Sequence, residues 1–132
     1  MELGVAVIIV GVLVSFVVPS FARVSEQSHV DAASQYLRSI WSAQRIYWLE
    51  NRTYTSSLSD LNTMKLIDPK VAGGNDGYFN FTITAANSTG FTATAARSGS
   101  GVWTGTLSIN EDGEVTGFVG GSNSVVLTPP GM

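Results

Sequence analysis

The sequence predicts an α+β fold in which a long N-terminal α-helix, apolar in its first half, packs through its second half on a four-stranded antiparallel β-sheet. Three observations predict it. An uncharged apolar run extends from Leu3 to Ala22, an apolar stripe at helical spacing follows it to about Glu50, and alternation with a period of two sets in at Tyr78. The chain of 132 residues has room for one globular unit, here residues 24–132, preceded by the apolar helix segment 1–23.

As a helix, the run from Leu3 to Ala22 would be about 30 Å long, the thickness of a bilayer's hydrocarbon core. A cleaved secretory signal is disfavoured, because the acidic Glu2 precedes the run where a basic region belongs, and Arg23 follows it. Pro19 lacks a backbone donor and Gly11 adds backbone freedom, so Gly11, Ser15 and Pro19 mark the stretch expected to bend or melt first. Beyond Arg23, the stripe Val24, Tyr36, Leu37, Ile40, Trp41, Gln44, Tyr47 and Trp48 continues the helix, with Glu26, Asp31, Arg38, Arg45 and Glu50 among its polar positions. A helix of roughly 50 residues would be about 75 Å long, so its first half must project from so small a domain. A projecting apolar half needs a membrane or other copies of itself.

Turn formers crowd residues 51–77, which read as a loop with at most one short helix near Leu58 to Met64. A meander over about 78–119 follows from Phe79, Phe81 and Ile83, then Phe91, Ala93 and Ala95, then Trp103, Leu107 and Ile109, then Val115 to Val119, joined by short Gly-containing turns. Phe79, Phe81, Ile83, Phe91, Trp103, Leu107 and Ile109 share a face for the helix stripe to cover. The tail 120–132 reads as a poorly paired surface segment.

Cysteine is absent, histidine occurs once and the net charge is −3, which excludes thiolate chemistry and any zinc site built on several histidines. No nucleophile elbow, phosphate loop or acid–base pair is present, so neither an enzyme nor a cofactor is expected. His29 reads as a surface or subunit-contact residue. The charges of residues 78–132 are Arg97, Glu111, Asp112 and Glu114, and without a basic groove no specific nucleic acid is expected as a partner. Asn110, Asp112 and Glu114 offer oxygen ligands for calcium, although the EDG step reads first as a hairpin turn, so no metal is expected. Asn87 and Asn51 head acceptor-type sequons for glycosylation.

Glu2 before an unbroken apolar run, with Gly11, Pro19 and Phe21 in it, resembles the N-terminal methylation segment of type IV pilins and type II secretion pseudopilins. The stretch SAQRIYWLENRTYTSSLSDL is similar to the helix end and following loop of these proteins. The resemblance implies the type IV pilin fold, a leader and a few residues ahead of Met1, and processing and N-methylation by a prepilin peptidase. It implies an inner-membrane monomer that the pilus assembly machinery builds into an extracellular homopolymer for adhesion, motility or surface interaction. In that filament Glu2 would neutralise a neighbour's terminal amine, and Leu3, Val7, Val10, Val14, Phe16 and Phe21 would supply apolar contacts. The alternatives are a pseudopilin of a periplasmic pseudopilus and a monomeric membrane-anchored module that binds through its Thr-rich sheet.

Overall fold

The computed structural model describes the backbone of residues 2–121 and 126–130, and within those limits the side chains from residue 24 onward. Helix α1 (Glu2–Asn51) is unbroken as backbone, including the segment from Gly11 to Pro19 expected to bend or melt. The assembly residues Glu2, Leu3, Val7, Val10, Val14, Phe16 and Phe21 have side chains outside the described set. Among the described residues no helix is long and apolar enough to cross a membrane, and the expected crossing, Leu3 to Ala22, is described as backbone alone, its side chains lying outside the described set.

The sheet is a meander of five antiparallel strands in sequential order, β1 (Phe79–Ala86), β2 (Phe91–Arg97), β3 (Thr104–Asn110), β4 (Val115–Gly120) and β5 (Val126–Leu127). The four-strand expectation is corrected by β5, whose Leu127 pairs with Val119 and whose Val126 pairs with Gly120. The described part of the tail beyond β4, residues 126–130, is likewise not a loose surface segment. Leu127 and Pro129 are buried, and α1 holds the tail through Gln27 Nε2, donating to Thr128 O at 3.0 Å, and Arg38, donating to Pro130 O at 3.4 Å.

Alternation in the strands places one apolar row on the helix side, in which Phe81, Ala95, Leu107 and Gly117 stand opposite one another, and a second of Ile83, Ala93, Ile109 and Val115. Large and small residues alternate along the first row, and the alanines of β2 leave space for α1 to settle with Val30, Ala33, Leu37, Ile40 and Ala43 buried. Val24, expected in the stripe, is 64% exposed, and Trp103 is only half-buried. The outer face carries a hydroxyl row, Thr82, Thr94, Ser108 and Thr116, each directly opposite the next.

The connection from α1 to the sheet contains two short helices, α2 (Leu58–Thr63) and α3 (Pro69–Ala72), one more than expected. Asp68 and Pro69 suggest a turn, but the same pair starts a helix: Asp68 Oδ1 accepts from Lys70 N at 2.8 Å, and Pro69 fills a first-turn position where no donor is needed. Helix α2 closes with Lys65 N on Asn62 O at 2.8 Å and Leu66 N on Leu61 O at 3.3 Å, which requires Lys65 at a φ of 59°. A side chain is strained in that conformation and glycine is not. Lys65→Gly should therefore raise stability by about 1 kcal/mol, seen as a rise of a few degrees in Tm by circular dichroism. An unchanged or lower Tm would mean that the Lys65 side chain makes a compensating contribution.

Candidate functional site

Three arginines mark one flank of α1 and its end. Arg38 and Arg45 are seven residues apart, close to two helical turns, so they lie almost in line on α1, and Arg52 follows seven residues later, just past its end. Two of them stack on a tryptophan four residues earlier. The Arg45 guanidinium lies 4.9 Å from the Trp41 ring centroid, and that of Arg52 lies 5.0 Å from the Trp48 centroid.

Both indoles are fixed by the ends of β-hairpins. Trp41 Nε1 donates to Glu111 O at 2.9 Å in the β3–β4 turn, and Trp48 Nε1 donates to Ser88 O at 3.0 Å in the β1–β2 turn. Gly113 has a φ of 84° and lies against the Trp41 ring, where a Cβ would collide with the indole. Arg52 stands just past the helix at a φ of 60°, with its N–H on Trp48 O at 2.7 Å. The chain then turns back so that Tyr54 packs near Trp48 and against Phe91, with centroids 6.5 and 5.1 Å apart. Gln44 secures this return by bonding both ways with the Thr55 backbone, at 2.7 and 3.0 Å. The result is an open pocket of about 250 Å³ lined by Arg45, Trp48, Leu49 and Tyr54.

A second cluster ties the helix to the far end of β2. Arg97 binds Glu26 through two nitrogens, at 2.5 and 3.1 Å, with both side chains almost wholly buried. Its guanidinium also donates to Tyr78 O and Ser98 O and lies over the Tyr78 ring. Glu26 is thus not on the polar face of the helix but in its core stripe. His29, expected at the surface or a subunit contact, is half-buried and stacks on Tyr78 at 3.7 Å between centroids.

The remaining sites fall on turns. Asn110 Oδ1 accepts from Asp112 N at 3.0 Å and Gly113 N bonds to Asn110 O, forming the hairpin turn that the sequence suggests. The Glu111 carboxylate points away from that turn, to Phe91 N at 3.3 Å. Among the described residues no group of three or more His, Cys, Asp or Glu is placed to hold a metal. Asn87 and Asn51 are both exposed. Asn87 Oδ1 accepts from Thr89 N and Gly90 N in the β1–β2 turn, and Asn51 Nδ2 donates to Tyr47 O.

A helix of this length, whose described core contacts begin only at Glu26 and whose second half lies on an antiparallel meander, defines a subunit of the pilin class. Residues 19–106, well over half of the chain, match the family described as type IV minor pilin ComP, DNA uptake sequence receptor. The chain belongs to that family, which associates it with the type IV pilus and its machinery at the cell surface. A comparison with individual curated proteins gives no match. Sequence reasoning overlooked the stacked arginines because it sought cations on the sheet. The repeated Trp-x-x-x-Arg unit, Trp41 to Arg45 and Trp48 to Arg52, was the available signal.

Proposed function

We propose that this chain is a minor, non-enzymatic subunit of a type IV pilus that takes part in DNA uptake. The observation that carries the reading is the family match over residues 19–106, which spans the second half of α1 and the sheet as far as β3. In this reading Leu3 to Ala22 anchors the monomer in the inner membrane and then packs among equivalent helices, with Leu3, Val7, Val10, Val14, Phe16 and Phe21 as contacts. Burial drives both states, so the helix passes from one to the other without meeting water. A prepilin peptidase processes the precursor and methylates its amine. The segment marked by Gly11, Ser15 and Pro19 loses helix in the filament and lets it extend. The family's description adds DNA binding, and no described residue singles out adhesion or motility.

The subunit reading is tested at Glu2. Its carboxylate would meet a neighbour's terminal amine in a low-dielectric core, where breaking the pair from one side costs about 3 to 5 kcal/mol. Glu2→Ala should reduce the amount of this chain in sheared filaments by roughly tenfold or more, while the tryptophan fluorescence of the monomer stays unchanged. Wild-type incorporation of the variant, measured by mass spectrometry of filaments seen in the electron microscope, would sink the idea.

A further inference from the structure

We infer that Arg45 and Arg52, each over a tryptophan, with Arg38 two turns before Arg45 and the pocket that Arg45 lines with Trp48 and Tyr54, form the surface on which this chain holds duplex DNA. The inference rests on the DNA reading above and gives it a location. The location follows first from where the cations are. Arg97 is committed to Glu26 inside the fold, and no other Lys or Arg lies on the sheet. The outer sheet face is a neutral row of Thr82, Thr94, Ser108 and Thr116, which offers a phosphate hydroxyl donors but no charge. Among the described residues this leaves the arginines of α1 and its end, together with Lys65 and Lys70 in the connection to the sheet.

The geometry of the row suits a phosphate backbone. Seven residues of α-helix advance about 10.5 Å, and one strand of duplex DNA carries a phosphate about every 3.4 Å along the axis. The helical interval from Arg38 to Arg45 thus matches about three nucleotide steps, and Arg52 follows just past the helix end. A guanidinium held over an indole loses part of its freedom before any ligand arrives, and its fork of N–H donors is the group that pairs with two phosphate oxygens at once. Much of the ordering that binding requires is already done, because the hairpin carbonyls fix both indoles. The pocket of Arg45, Trp48, Leu49 and Tyr54 offers aromatic surface for a sugar between phosphates.

Acidic groups set the stronger end. Asp112 and Glu114 lie in the turn that adjoins Trp41, while Glu50 falls about 140° round the helix from Arg45. The Arg52 end of the row is therefore the more attractive to an anion.

The test is fluorescence anisotropy of the full chain in detergent with a labelled duplex of about 20 base pairs, long enough to cover the row, over a series of NaCl concentrations. Two phosphate contacts contribute roughly 1.8 to the slope of log K against log salt. Arg45→Gln with Arg52→Gln should remove about that much slope and weaken binding at low salt at least tenfold. Lys65→Gln with Lys70→Gln should leave both nearly unchanged. Circular dichroism melting of each variant verifies that it is folded. If the arginine variant binds as wild type does, or the lysine variant loses binding instead, this location is wrong and the DNA reading stands. If wild type binds no duplex, the DNA reading fails with it.

Discussion

Arg97→Ala should destabilise the protein by about 3 to 5 kcal/mol, because it strips the partner from a carboxylate that the fold has already removed from water. Glu26 is 3% exposed, and Arg97 contributes both its charge partner and two hydrogen bonds. The reverse change, Glu26→Ala, should cost less, since Arg97 keeps the carbonyls of Tyr78 and Ser98 as acceptors. Replacing both, Glu26→Leu with Arg97→Met, should recover most of the loss, as apolar groups of similar size carry no desolvation penalty. Urea unfolding of the full chain in detergent, followed by tryptophan fluorescence, measures all three. A loss below about 1 kcal/mol for Arg97→Ala would put the pair with solvent-exposed ion pairs and overturn this account.

Gly117→Ala is expected to rank second, at roughly 3 kcal/mol or more. Gly117 has a φ of 103°, and a Cβ there would run into the carbonyl oxygen of Thr106 in β3. Gly105 mirrors it at a φ of 146°, its absent Cβ directed at the carbonyl of Phe118 in β4. The two glycines flank the opposed pair Thr106 and Phe118, so each strand closes on the other at a point where only hydrogen fits. Gly101→Ala is the control, since nothing lies within 4 Å of a Cβ at that position. Equal melting temperatures for the two alanine variants would show that β3 and β4 can separate slightly without penalty.

Much of this architecture is legible in the sequence because periodicity is a local signal. The stripe through Leu37, Ile40 and Gln44 and the alternation of Phe79, Phe81 and Ile83 identify their elements without knowledge of contacts, and all of these positions are buried. β5 escapes because two residues are too few to show a period, and its pairing depends on β4 being in place. α3 escapes because an Asp-Pro step starts a helix as readily as it makes a turn. Glu26 was misjudged by its charge. It stands four residues before Val30 and seven before Ala33, in register with the buried stripe, so its position predicts burial and its chemistry requires a cation. The identity of that cation lies on β2 and only the assembled fold supplies it. The candidate site was missed for a related reason: Arg45 and Arg52 read as ordinary solvated helix positions until their tryptophans are seen pinned beneath them.

The ties that fasten α1 to the domain join residues far apart in the order of synthesis. Glu26 waits for Arg97, 71 residues later, and Gln27 waits for Thr128, 101 residues later. At about 5 to 20 residues per second, the first interval alone lasts about 4 to 14 s. For the part of it after Asn51 has been added, the apolar stripe of the helix has no sheet to cover it and the Glu26 carboxylate has no Arg97 to meet. The domain therefore closes only after Thr128 has been made, and the nascent chain depends on its surroundings to shield that stripe until then.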